Sequence, residues 1–248
     1  MRRALLILIS LVAFAAIVVT LAPASLAGAA LERISEGTLA LAEAEGTLWR
    51  GRGTVIAARV ARVSVAWSIE PWPLLRGELR LRVSPPVASG NSPRAQIVAH
   101  RDSVSMRDVD VMLPARLVEG LAPRSGIRMT GDVRVTTPSL DWTPAAFLGG
   151  ARIDWQDAQF AISVDPAIRL GTVNATLAAL GDRLTGPITN DGGTFDVRGT
   201  GSIATNVAPS LSLVMTPRAA GDAAQSRTLT IAGGADGRWN VEFRMGPP

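Results

Sequence analysis

The side chains that most often carry out catalysis are scarce in this sequence. The 248 residues include no cysteine and a single histidine, His100. The lack of cysteine excludes disulfides, thiolate nucleophiles and cysteine metal ligands. His100 begins a His-Arg-Asp run like that of a kinase catalytic loop, but no lysine, phosphate-covering glycine loop or Asp-Phe-Gly accompanies it. A serine hydrolase is equally unsupported, because no G-x-S-x-G elbow is present.

Carboxylates are the remaining candidates for acid–base chemistry or for binding Ca²⁺. Asp108 and Asp110 are two residues apart, which would place both side chains on one face of a strand. Carboxylates in such positions are usually solvated. Residues 190–193 lack the alternating acidic ligands and late glutamate of a calcium loop, and they predict a hairpin turn instead. We therefore expect a protein that is not an enzyme and uses no cofactor or metal.

The charge does not point to a nucleic-acid partner. The net charge is only +4, and the high isoelectric point of about 11.1 arises because every basic residue is arginine. No lysine, tyrosine or cysteine is present to titrate at alkaline pH. We expect no nucleic-acid partner.

An apolar run over residues 4–22 predicts a membrane helix. It approaches the roughly 20 apolar residues that cross a bilayer. Arg2 and Arg3 precede it and mostly acidic residues follow it, so the positive-inside rule places the N-terminus in the cytoplasm. We expect a cytoplasmic stub over residues 1–3, a single-pass inner-membrane anchor over 4–24 and a periplasmic remainder. The alternative is a cleaved signal peptide, since residues 22–24 and 27–29 offer A-x-A spacing.

Beyond residue 45 the apolar residues recur with a period of two, as in Val63, Val65, Trp67 and Ile69. This alternation is typical of antiparallel strands with one buried face. The fold class expected is therefore mainly β: one N-terminal transmembrane helix, then an antiparallel β-sheet domain that is open, groove-like or a sandwich. We expect a juxtamembrane linker over residues 25–45 and a periplasmic β-rich domain over 46–248.

Several local patterns refine this expectation. The parity of the apolar positions switches near Gln156-Asp157, which predicts either a β-bulge or a turn. Residues 113–121 and 144–148 are candidates for short helices. Residues 77–81 resemble residues 131–135, which raises the alternative of two related β-lobes divided near 115–130; chance similarity explains the resemblance equally well.

Arginine exceeds acidic residues in the first half of the chain, and Arg80 and Arg82 would share one exposed strand face. Such a face could meet anionic lipid or an acidic partner. The alternative is a solvated face on which charge protects the sheet against aggregation.

Two tryptophan clusters resemble a known family. The first, over 46–51, matches G-T-L-W-x-G, and the second, over 67–77, matches a W…P…L-L-x-G pattern. With the membrane segment before them, they resemble protein N of the bacterial type II secretion system. The candidate interaction or structural residues are Gly46, Leu48, Trp49, Gly51, Trp67, Pro71, Trp72, Leu74, Leu75, Gly77, Arg80 and Arg82.

The resemblance implies a non-enzymatic accessory component of the secretion machinery in the inner membrane, with other secretion subunits as partners. It carries over no catalytic residues. The family is also similar to longer periplasmic β-proteins of the AsmA type, which have one anchor and an extended groove. The alternative function is therefore a membrane-anchored lipid-binding or lipid-transfer module.

Overall fold

The structure is a computed structural model that describes residues 20–35, 37, 39–57, 61–84, 94–116, 127–162, 167–205, 210–218, 227–233 and 239–245. The expected cytoplasmic stub and most of the expected anchor over 4–24 lie outside these residues. Within the described ranges, no helix combines the length and apolar character that crossing a membrane requires.

The fold is a single open antiparallel sheet of 14 strands whose spatial order follows the chain order. Two short helices that lie wholly within the described ranges accompany it, α1 (Ser25–Ile34) before the first strand and α2 (Pro71–Leu74) after the third. The strands are β1 (Leu39–Gly46), β2 (Arg50–Ala57), β3 (Ala61–Glu70), β4 (Leu79–Ser84), β5 (Arg94–His100), β6 (Ser103–Pro114), β7 (Ile127–Trp142), β8 (Phe147–Ile162), β9 (Ile168–Leu180), β10 (Arg183–Asp191), β11 (Phe195–Ala204), β12 (Ser210–Pro217), β13 (Arg227–Gly233) and β14 (Trp239–Met245).

The period-two pattern gives the sheet one apolar and one polar face. Residues that pair directly across strands point to the same face. Val83 of β4 pairs with Ala95 of β5, and Val135 of β7 pairs with Ile153 of β8. Polar residues alternate with these, so arginines and carboxylates share the opposite face. The expectation of a mainly β, antiparallel fold is confirmed, and the sheet is open.

The apolar face is closed to different degrees along the sheet. On β8–β12 it forms a sealed cluster in which Val197 and Met215 have no exposed surface. On β3–β6 most of the apolar face is only half-buried, for example Leu81, Ile97 and Met106. The core of the described chain therefore lies towards its C-terminal half, and the N-terminal half of the apolar face is partly open.

Three of the register breaks in the described strands are bulges that have an acidic residue in the left-handed region. Glu43 (φ 52°), Asp108 (φ 49°) and Asp157 (φ 48°) lie in β1, β6 and β8, beside breaks in the strand register. The parity switch near residue 156 is thus a β-bulge within one strand, the first of its two predicted alternatives. Gly131 (φ 102°) faces this bulge, where a Cβ atom would lie 2.7 Å from the Asp157 carbonyl oxygen.

The structure differs from the sequence-based expectation in places. The expected linker over 25–45 contains α1 and most of β1, which pairs with β2, so the sheet starts earlier than residue 46. The helix predicted over 144–148 is wrong: Thr143 and Ala146 close a tight turn through a 2.9 Å backbone hydrogen bond, and β8 begins at Phe147.

The helix predicted over 113–121 begins in β6, and residues 117–121 lie outside the described residues. The lobe boundary suggested near residues 115–130 falls between β6 and β7. These two strands pair directly with each other, so the sheet is continuous across that boundary. The hairpin predicted at Gly192-Gly193 is confirmed as the connection between β10 and β11.

Candidate functional site

The two tryptophan clusters meet in the structure. Gly51 of β2 pairs with Trp67 of β3, and the indole ring lies against the glycine. The indole N–H of Trp67 donates a 3.0 Å hydrogen bond to the Leu48 carbonyl oxygen. A Cβ atom at residue 51 would overlap this ring, so glycine is required for the close approach. The buried tryptophan of the second cluster thus packs against the first cluster and is hydrogen bonded to it.

The loop between β1 and β2 also holds the chain as it enters the sheet. The Leu48 N–H donates to the Ala22 carbonyl oxygen at 2.8 Å, and the Ala24 N–H donates to the Gly46 carbonyl oxygen at 3.2 Å. Gly46 adopts a φ of 93°, which favours glycine. The first motif therefore joins residues 22–24 to the sheet.

Helix α1 continues from this junction and packs on β1. Gly28 is buried, and a Cβ atom there would lie 3.3 Å from Leu41 Cβ. Sequence reasoning did not single out Ala22, Ala24 or Gly28. The available signal was the run of small residues after the apolar segment, interpreted there as signal-peptide spacing.

The second cluster continues from β3 into α2. The Ile69 N–H donates to the Trp49 carbonyl oxygen at 2.7 Å, so the two clusters are hydrogen bonded just before Pro71. Pro71 stands at the start of α2, where a missing N–H costs nothing. Gly77 (φ 73°) then permits the return into β4.

The apolar side chains of α2 and of the turn after it point into solvent. Trp72 is 78% exposed, Leu75 is 80% exposed and Leu74 is 38% exposed. The second cluster thus contains one buried tryptophan, Trp67, and one exposed tryptophan, Trp72. The two share a motif but differ in environment, so the motif comprises a structural part and an exposed part.

Arg80 and Arg82 lie on the polar face, as predicted, and both are exposed. Arg80 forms ion pairs with Glu78 and, at 3.6 Å, with Glu70. The hydrogen bond from Arg80 holds the pKa of the Glu78 carboxyl below its ordinary value. Arg82 pairs in register with Ser68 and Gln96 on the neighbouring strands.

Ion pairs extend across the polar face beyond β4. Arg134 forms two hydrogen bonds with Asp110, at 2.7 and 2.6 Å. Arg107 lies 2.8 Å from Asp141. In each pair the hydrogen bond from the arginine lowers the pKa of the carboxyl, and Ser105 adds to this for Asp141. These carboxylates are thus held in their charged form.

The candidate catalytic carboxylates do not form a pair. Asp108 lies in the β6 bulge and accepts a 3.3 Å hydrogen bond from Gln96, whereas Asp110 binds Arg134. His100 is exposed at the end of β5. In the part of the chain that the structure describes, no group of three or more histidine, cysteine, aspartate or glutamate side chains could hold a metal ion.

Comparison with known proteins identifies the family. The family model described as type II secretion system (T2SS), protein N matches residues 37–242. The chain belongs to the type II secretion system protein N family. The match begins before β1 and ends within β14, so it covers β1 to β13 and the first part of β14. No curated protein and no solved structure matches the chain.

Membership of the protein N family confirms the resemblance based on the two tryptophan clusters and associates the chain with type II protein secretion. It also makes other secretion subunits the class of partner to consider. Within the matched region, the structure brings Gly46, Leu48, Trp49, Gly51 and Trp67 together. Pro71, Trp72, Leu74, Leu75 and Gly77 form the adjoining projection, and Arg80 and Arg82 lie on the polar face of the strand that follows.

Proposed function

We propose that this protein is a non-enzymatic component of the type II secretion system, anchored in the inner membrane, whose periplasmic β-sheet contacts other secretion subunits. The single observation that carries the proposal is the family match over residues 37–242. The apolar run over residues 4–22 supports the anchor, and the two arginines before it support a cytoplasmic N-terminus.

The way the chain enters the sheet supports an arrangement close to the membrane. Residues 22–24, at the end of the expected anchor, are hydrogen bonded to the β1–β2 loop. No long linker therefore separates the end of the apolar run from the sheet. The sheet would stand at the periplasmic surface of the membrane and present its polar face to other subunits.

Gene deletion tests the secretion role. We expect a deletion strain to accumulate folded secretion cargo in the periplasm, and a plasmid copy of the wild-type gene to restore export. Normal export in the deletion strain would contradict the proposal. Alkaline phosphatase fused after Pro248 tests the topology: the fusion is active only if the C-terminus is periplasmic, and an inactive fusion would contradict the proposed location.

The half-buried apolar face of β3–β6 favours one second candidate, a lipid-binding module. Ile97 and Val98 are neighbours in β5 on the apolar and polar faces, respectively, and both are half-buried. If the apolar face holds acyl chains, Ile97→Gln should reduce the phospholipid that co-purifies with the protein, whereas Val98→Gln should not. Lipid-free wild-type protein, or an equal loss in both variants, would eliminate this candidate.

A further inference from the structure

Large apolar side chains exposed to water are concentrated at one end of the sheet. Since chain order and strand order coincide, the β1–β2, β3–β4, β5–β6, β7–β8 and β9–β10 connections all lie at that end. Eight of the ten exposed large apolar side chains in the described part of the chain lie at this end: Leu21, Leu26, Trp72, Leu74, Leu75, Leu148, Leu180 and Ile203.

The most exposed group lies beside the point where the chain enters the sheet. Leu21 directly precedes Ala22, whose carbonyl oxygen accepts from Leu48, and Trp49 in the same loop accepts from Ile69 just before α2. We call Trp72, Leu74, Leu75 and Arg76 the Trp72 patch; Leu21 and Leu26 lie at the same end of the sheet, where the chain enters it. The pairing of Ala22 with Leu48 and the pairing of Trp49 with Ile69 each span about 5 Å, so these two steps connect the start of the described chain to the residues just before α2.

The exposure of Trp72 and Leu75 is imposed by a turn whose backbone is well hydrogen bonded. The N–H groups of Leu75, Arg76 and Gly77 donate to carbonyl oxygens three residues earlier, at 2.9–3.2 Å. Pro71 and Pro73 further restrict the backbone. The two side chains are therefore held outward, and their transfer from water into an apolar environment would be favourable.

We propose that the Trp72 patch inserts into the interfacial region of the phospholipid bilayer beside the membrane anchor, and so orients the sheet on the membrane surface. The location of the patch carries this choice of occupant, because the apolar run over 4–22 ends at Leu21-Ala22, at the same end of the sheet as the patch. Tryptophan is enriched at the level of the lipid headgroups. Exposed Arg76, which lines the same depression as Trp72 and Leu75, would face the lipid phosphates.

This inference rests on the proposed membrane anchor, and the cysteine-free sequence makes a direct test possible. Trp72→Cys and Leu75→Cys, each labelled with a polarity-sensitive fluorophore, are placed in full-length protein reconstituted into phosphatidylethanolamine–phosphatidylglycerol nanodiscs. Two positions serve as matched controls. Ile34, which is 83% exposed at the far end of α1, and Val214, which is 45% exposed in the middle of β12, are each changed to cysteine and labelled in the same way. Circular dichroism verifies that each labelled variant is folded.

We expect a blue-shifted emission at residues 72 and 75 in nanodiscs, quenched by nitroxide-labelled lipid, with neither effect at residues 34 and 214. Equal quenching at all four positions would overturn the inference, as would water-like emission at 72 and 75 while the protein remains in the nanodisc fraction. In that second case the proposed anchor would stand. Loss of the protein from the nanodisc fraction would refute the anchor and the inference together.

A second copy of the chain is the main competing occupant of the patch. If copies associate through it, the emission at residues 72 and 75 should shift in detergent-solubilised, lipid-free protein as its concentration is raised. Such a concentration-dependent shift would overturn the membrane assignment, whereas concentration-independent emission without lipid supports it.

Discussion

The indole N–H of Trp67 donates a 3.0 Å hydrogen bond to the carbonyl oxygen of Leu48, nineteen residues earlier in the chain. Leu48 in turn donates its N–H to Ala22. One residue of the β1–β2 loop therefore connects the buried tryptophan of β3 with the segment that enters the sheet. Through this connection, loss of Trp67 should also loosen the attachment of residues 22–24.

Trp67→Phe should destabilise the protein by about 1 to 3 kcal/mol, because it removes the bond to Leu48 and leaves a small cavity beside Gly51. Trp72→Phe is the matched control at an exposed site and should change the free energy of unfolding by less than about 0.5 kcal/mol. Urea denaturation followed by circular dichroism measures both. Equal effects in the two variants would contradict the structural division between the tryptophans.

Asn190 connects both strands of the β10–β11 hairpin with the start of β9. Its side-chain amide donates to the carbonyl oxygens of Leu170 at 2.6 Å and Phe195 at 2.8 Å, and its oxygen accepts from the Val197 N–H at 2.7 Å. Asn190→Leu leaves these groups without their partners and should cost about 2 to 4 kcal/mol.

Asn174→Leu is the control for Asn190, since the only hydrogen bond of its side chain seen among the described residues is a long one of 3.5 Å to Thr172. We expect it to cost under about 1 kcal/mol. Hydrogen exchange of the β10–β11 amides should accelerate in Asn190→Leu and stay close to wild type in Asn174→Leu. The reverse order would show that the amide is dispensable.

The β8 bulge requires a left-handed backbone at Asp157. Valine strongly disfavours that conformation, so Asp157→Val should destabilise the protein by about 1 to 3 kcal/mol. Asp157→Gly relieves the strain and should be neutral or stabilising by up to about 1 kcal/mol. Gln159→Val, two residues along the same strand, tests whether valine is harmful there in general. Thermal unfolding of the three variants measures these effects. Equal destabilisation by Asp157→Val and Gln159→Val would contradict the placement of the bulge at residue 157.

The ion pairs of the polar face predict how stability depends on pH. The pKa of Asp110 is lowered below its ordinary value of 3.8, chiefly by the hydrogen bond from Arg134. A lowered folded-state pKa means that the stabilisation is fully present above the unfolded-state pKa and is lost as pH falls through the folded-state pKa. Stability should therefore not decline on this account between pH 7 and about pH 5, and it should fall below about pH 4.

Asp110→Asn should flatten part of this acid-induced fall and cost less than about 1 kcal/mol at neutral pH, because solvent screens the half-exposed pair. Asp102→Asn, in the exposed β5–β6 turn, provides a control of equal charge change. Denaturant midpoints of the wild type and both variants, measured from pH 7 down to pH 2 at low and high salt, test this prediction. An identical acid profile in wild type and Asp110→Asn would be inconsistent with the pair.

The elements that the sequence predicted best are those whose signal is local. Alternation marked the strands, and the parity switch marked the bulge at Asp157, because a bulge shifts every later side chain by one position. The same switch between Met106 and Val109 went unused, although it marks the bulge at Asp108. The helix expected at residue 144 failed because a turn closed by Thr143 took its place.

The composition of the candidate site was predictable, but its geometry was not. The family resemblance singled out Gly51 and Trp67, yet only the register of β2 against β3 places the indole over the glycine. Likewise the sequence motif alone does not distinguish the environment of Trp67 from that of Trp72. Their different exposure follows from one being in a strand and the other in a proline-bounded turn.

The coincidence of strand order with chain order has an evolutionary consequence. Each inner strand of the sheet pairs only with its two neighbours in the sequence. Duplication or deletion of a hairpin would therefore change the width of the sheet by about 10 Å without rethreading any other part of the chain. A homologue with more or fewer hairpins would accordingly have a wider or narrower sheet built from the same structural unit.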